Sequence, residues 1–209
     1  ASRAAKMVET KLESLVSNEK DSGVLGFEQL GIDTVLVDEA DLFKSLFFFT
    51  KKKRIPGISS SCSSRALDLY LKSRVIFQKR SNDGYGLCFA TATPISNTIG
   101  EMFIMQTYLQ EERLRELHID SFDAWAANFA REVTCVEVKP EGSGYRLHTR
   151  FASFVNVPEL MLIFREVAEI RTKKQLNLPE PKLVGGSHTV VTVPPTEGQR
   201  RFVQSLVER

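Results

Sequence analysis

Three acids crowd the end of one apolar run. The stretch "TVLVDEADLF" (34–43) carries Thr34 to Val37 straight into Asp38, Glu39 and Asp41. Adjacent carboxylates repel, and the simplest compensation is a cation. Hard Mg²⁺ takes oxygen ligands, keeps several waters and is held by one or two carboxylates plus substrate phosphates. Successive side chains diverge, so Asp38 can face a metal while Glu39 orients an attacking water, the two tasks that phosphoryl transfer requires. The non-catalytic account is that these acids cap a following helix. For an isolated Asp-Glu pair that account is the better one. A second unusual stretch, "TATP" (91–94), follows another apolar run, "LCFA" (87–90), and this pairing favours the catalytic account.

The elements needed to position these residues can be read from periodicity. Apolar spacing at Ala4, Val8, Leu12, Leu15 and Val16 predicts an N-terminal helix. Thr34–Val37 and Leu87–Ala90 are short and show no alternation, as expected for strands buried on both faces of a parallel sheet. A helix is expected over Arg65–Gln78, and "SNDGYG" (81–86) is turn chemistry. Asn97 is the expected cap of a helix carrying Ile99, Met102, Phe103, Gln106 and Leu109. Phe122, Trp125, Ala126, Phe129 and Val133 predict a further helix, with the aromatics in the core. "VTCVEV" and "YRLHTRF" flank "KPEGSG" as a hairpin. Pro158 opens a long helix through Ala168, "NLPEPKLVGGS" reads as a linker, and "HTVVTV" as a third buried strand. Thr196 and Gln199 have capping-box spacing for a last helix.

This order predicts an α/β fold with a parallel sheet, interrupted by a helical and hairpin insertion. Ligands of such sheets sit at the carboxyl ends of strands, where "DEAD" and "TATP" both lie.

Composition narrows the partners. Hydrophobic residues make up 42 % of the 209, which is enough for a core. No apolar run reaches membrane-spanning length and the N-terminal stretch lacks the apolar core of a secretion signal, so a cytoplasmic protein without a membrane partner is expected. Cys62, Cys88 and Cys135 and the three histidines (118, 148, 188) are scattered, against a zinc site or a disulfide framework. The net charge of +2 is uneven: Lys44 to Arg80 holds ten Lys or Arg against Asp68 alone, hence +9, and the remainder carries −7. Such a block suits a polyanion such as DNA, although a solvated loop and helix face explains it almost as well.

Taken in order, the motifs resemble a known family. "VLVDEAD" resembles motif II (Walker B) of superfamily 2 helicases. "FATATPISNTIGEMFIMQTYL" resembles motif III of the Swi/Snf-type branch, and "LNLPEPKLVGGSHTVVTVPPTEGQRRFVQSL" resembles that branch's passage from the first lobe to the second. "FEQLGID", "FDAWAANF", "GSGYR" and "TRFASFVNVPELM" resemble the helicase part of large phage- and plasmid-borne proteins joined to a DNA methyltransferase and linked to antirestriction.

The resemblance implies a partial RecA-like P-loop NTPase lobe. Residues 1–26 would be an N-terminal helical segment, 27–178 the second half of lobe 1 with an insertion at about 110–178, and 179–209 the linker and start of lobe 2. It implies ATP and Mg²⁺ as cofactors, with Asp38 holding Mg²⁺ through water and Glu39 polarising the hydrolytic water. Asp41, where close members have His, completes the nucleotide-binding set with Thr91 and Thr93, which couple the nucleotide site to nucleic acid. Lys44, Lys51, Lys52, Lys53 and Arg54 are the candidate contacts to DNA phosphates. No G-x-x-x-x-G-K-[ST] occurs. A fragment without ATPase activity of its own is therefore expected, with an open sheet edge inviting self-association. Two other functions stay open: a helicase-like module that binds DNA or a partner without hydrolysis, and an unrelated metal-dependent phosphohydrolase using Asp38 and Glu39.

Overall fold

The computed structural model describes residues 9–10, 13, 25–52, 63–80, 85–139, 144–177, 179, 186 and 190–207. The fold is mixed α/β. A 3-10 turn at Phe27–Leu30 leads to β1 (Val35–Val37), a second 3-10 turn at Ala40–Phe43, α1 (Ser64–Lys79) and β2 (Leu87–Phe89). Then come α2 (Ile99–Glu116), α3 (Phe122–Phe129), β3 (Ala130–Val138), β4 (Tyr145–Phe154), α4 (Val157–Phe164), α5 (Lys173–Leu176) and α6 (Glu197–Val207). The chain divides into two compact units, Ala1–Val133 with Thr149–Val167, and Thr134–His148 with Ala168–Arg209.

In the first unit β1 and β2 run parallel, with Val35 opposite Leu87, Leu36 opposite Cys88 and Val37 opposite Phe89. The pleat sends Val35, Val37, Leu87 and Phe89 onto a buried cluster of Leu46, Ala66, Leu69, Ile104 and Tyr108. Leu36 is 76 % exposed and Cys88 lies on the same open face. The strands are thus half-buried, not covered on both sides, and their three-residue length is too short for alternation to be visible in the sequence. Gly86 enters β2 at φ +108°, where a Cβ would stand 2.5 Å from Ile76 and 2.8 Å from the Asp33 carbonyl. Its own carbonyl accepts from Val35 N–H at 2.8 Å, so only glycine lets α1 and β1 approach this closely.

The first half of α2 is buried all round, from Gly100 through Gln106, and so runs through the core. Thr98, not Asn97, stands at its N-cap, and the Asn97 N–H is directed to the Glu101 carboxylate. At Gln110 the helix breaks geometry (φ −147°, ψ 38°). A buried polar chain crosses there: Trp125 Nε1 donates to Gln106 Oε1 (2.7 Å), Gln106 Nε2 to Gln110 Oε1 (3.2 Å), and Gln110 Nε2 to the Ile163 carbonyl (3.1 Å). These bonds tie α3 and α4 to the bend in α2. Ser121 caps α3 by accepting from Ala124 N–H at 3.3 Å, and Phe122, Trp125, Ala126 and Phe129 all face the core. Burying each such ring contributes about 1.5–3 kcal/mol.

Four further sequence expectations need correction. Val133 belongs to β3, not to the helix before it. The helix opened by Pro158 stops at Phe164, and Val167 is 42 % exposed. The hairpin strands are longer than read, at nine and ten residues, and the first starts directly from α3. In the second unit Val190, Val191 and Val193 are exposed and in no strand, and His188 and Thr189 of the expected strand lie outside the described residues. There α6 starts as expected, with Gln199 N–H donating to Thr196 Oγ1 (3.3 Å) and Thr196 N–H to Gln199 Oε1 (2.8 Å). Glu9, Thr10 and Glu13 are helical, while Ala4, Val8, Leu12, Leu15 and Val16, whose spacing predicts the N-terminal helix, lie outside the described residues. No described helix is long and apolar enough to cross a membrane.

Candidate functional site

The acidic loop leaves β1 and turns sharply. Asp38 Oδ1 accepts from the Glu39 N–H at 2.9 Å, and Glu39 adopts a left-handed backbone (φ 51°, ψ 50°). That region costs an L-residue roughly 1 kcal/mol or more. Non-glycine residues held there cluster where function demands a particular side chain. Ala40, fully buried, donates its N–H to the Ala90 carbonyl (3.1 Å), and Ala90 N–H returns to the Val37 carbonyl (2.8 Å). The parallel pairing of β1 and β2 thus continues one step past both strands and brings "DEAD" beside "TATP".

Side chains then bridge the two loops. Thr91 Oγ1 donates to Asp41 Oδ1 at 3.3 Å and accepts from Thr93 N–H at 3.1 Å. Asp38 and Glu39 are both exposed, and no described lysine or arginine pairs with either. Among the described residues no three His, Cys, Asp or Glu side chains gather as a metal cluster. The donor set fits an ion held by a carboxylate or two, with its other positions left to water and phosphate. The five residues Asp38, Glu39, Asp41, Thr91 and Thr93 therefore fall in one place, at the carboxyl edge of the parallel sheet.

The described basic residues do not form one exposed surface. Lys44, expected at a DNA surface, is buried at 8 % exposure. Its Nζ donates to Ser96 Oγ (2.9 Å) and to Glu101 Oε2 (3.2 Å). Lys52 pairs with Glu132 and lies over the Phe151 ring at 5.8 Å. Lys51 keeps an exposed side chain, while its N–H donates to Asp123 Oδ2 at 2.8 Å. Lys53 and Arg54 lie outside the described residues.

Sequence reasoning missed Glu101. Burial pushes its carboxyl upward, but the N–H groups of Ser96 and Asn97 and then the Lys44 ammonium outweigh that, and the net shift is downward. One oxygen, Oε2, takes Ser96 N–H at 2.6 Å, Asn97 N–H at 3.2 Å and Lys44. The available signal was an acid three residues after Thr98 on an otherwise apolar helix face.

No curated protein and no solved structure matches the chain significantly. A family model does, and it covers the acidic loop, the "TATP" loop and most of the insertion together. By that match, to the model described as "Probable helicase domain" over residues 2–172, the chain belongs to a helicase-domain family.

Proposed function

We propose that these residues form the second half of the first, RecA-like lobe of a Swi/Snf-type superfamily 2 DNA helicase or translocase. The observation that carries this reading is the side-by-side arrangement of the two strand-end loops, joined through Thr91 and Asp41. Asp38 is the residue to hold Mg²⁺ through water, and Glu39 the one to polarise the attacking water. Bound Mg²⁺ supplies charge neutralisation at the nucleotide's phosphates. Thr91 and Thr93 pass the state of the acidic loop to the start of α2. DNA phosphates would meet Lys51, Lys53 and Arg54, since Lys44 and Lys52 are engaged elsewhere.

ATP turnover needs a phosphate-binding loop that these 209 residues do not contain. On this reading hydrolysis would require that loop together with further helicase lobes, and a fused methyltransferase would fit the family resemblance. The missing loop also favours a second reading, a helicase-like module that binds DNA or a partner without hydrolysis. ATPase assays with and without DNA on the longest natural chain carrying this segment decide between them. DNA-stimulated hydrolysis abolished by Glu39→Gln is the expected result. Salt-sensitive DNA binding with no hydrolysis would replace it with the second reading.

A further inference from the structure

The Lys44–Glu101 pair joins segments that chain connectivity leaves apart. Lys44 closes the 3-10 turn of the acidic loop, its N–H donating to the Asp41 carbonyl at 3.3 Å. Glu101 sits in the first turn of α2 and is buried at 8 % exposure. Between them Ser96, two residues past Pro94, contributes a hydroxyl to the Lys44 ammonium (2.9 Å) and an N–H to Glu101 (2.6 Å). One carboxylate oxygen therefore fastens the far end of "DEAD", the far end of "TATP" and the head of α2. The Thr91–Asp41 bond ties the last acid of the first loop to the first threonine of the second.

A buried ion pair is a weak source of net stability, because desolvating both charges consumes most of their attraction. Replacing both partners by uncharged groups of similar shape is often neutral. What such a pair supplies well is register, since a shift of either partner strands a charge. We infer that Lys44, Glu101 and Ser96 are positioning residues that set the spacing of the acidic loop against the "TATP" loop, and through it the placement of Asp38 and Glu39. Their importance for catalysis rests on the reading given above; the spacing itself does not.

The test is the double variant Lys44→Met/Glu101→Gln, which removes both charges and keeps the volumes. Amide hydrogen exchange is read at Ala40, whose N–H bonds Ala90, and at Thr93, whose N–H bonds Thr91. The expected result is a melting midpoint near that of wild type with exchange at these two amides faster by about tenfold or more. Unchanged exchange there, or acceleration spread evenly through α1 and α2, would overturn the inference. Should the double variant not fold, Ser96→Ala, which removes only the hydroxyl that accepts from Lys44, is read at the same two amides, with a smaller acceleration expected and no acceleration overturning the inference. Mn²⁺ binding by water-proton relaxation is measured on the same samples. Weaker binding in the double variant is expected. Absence of Mn²⁺ binding in wild type would count against Asp38 as a metal ligand while leaving the exchange result to judge the pair.

Discussion

The Thr91 hydroxyl donates to the Asp41 carboxylate across fifty residues of sequence, at 3.3 Å, and at the same time receives the N–H of Thr93. One threonine thereby serves both loops. Thr91→Val keeps the shape and removes both bonds. Its stability cost should be about 0.5–1.5 kcal/mol by chemical denaturation, the usual net contribution of a hydrogen bond. In a DNA-stimulated ATPase carrying this segment, the same change should lower kcat more than it raises KM.

Glu101 predicts a pH dependence. Its folded carboxyl titrates below the ordinary 4.5, so folding gains from its ionised form. A depressed acid contributes its stability above the unfolded pKa and loses it as pH falls through the folded one. Wild type should therefore lose stability below about pH 4.5 more steeply than Glu101→Gln, as read by thermal melts between pH 7 and 3.

Tyr70 predicts the opposite end. Burial, then the neighbouring Glu111 charge, lifts its hydroxyl from 10.0 to about 12. That hydroxyl donates to Glu111 at 3.0 Å. The folded state keeps its proton where the unfolded state loses it, so this contribution is complete below pH 10 and disappears as pH rises toward 12. Tyr70 should ionise at about 12 by ultraviolet difference absorbance, and Tyr70→Phe should remove that step.

The polar chain through the bend of α2 can be read from the single tryptophan. Trp125 is fully buried and its indole N–H has Gln106 as partner. Gln106→Leu leaves that donor, and Gln110, short of a partner. The expected loss is about 1–3 kcal/mol, with Trp125 emission moving to shorter wavelength. Phe122, stacked on Trp125 and in edge contact with Phe103 and Phe151, should cost about 3–5 kcal/mol on truncation to alanine.

Much of this architecture was legible because local signals and tertiary need agree. Thr196 and Gln199 cap α6 as their spacing required, and α1 spans Ser64–Lys79 against an expected Arg65–Gln78. The acids and the "TATP" threonines meet because two apolar runs end in polar ones and parallel pairing brings those ends together. Lys44 was misread for a physical reason. It sits in a charge block, and block counting cannot see Glu101, an acid fifty-seven residues away that draws it inward. Val190 to Val193 misled in the same way: β-branched residues fit a strand, but a strand needs a neighbour, and composition does not supply one. The helix after Pro158 looked longer because its apolar spacing continued, whereas packing stops at Phe164.

Glu39 holds an awkward backbone that glycine or asparagine would adopt with ease. Anyone selecting variants for heat resistance alone would be steered to replace it, and the hardier turn would lack the one acid proposed to polarise water. Stability screens and activity screens on this segment should therefore rank position 39 in opposite directions.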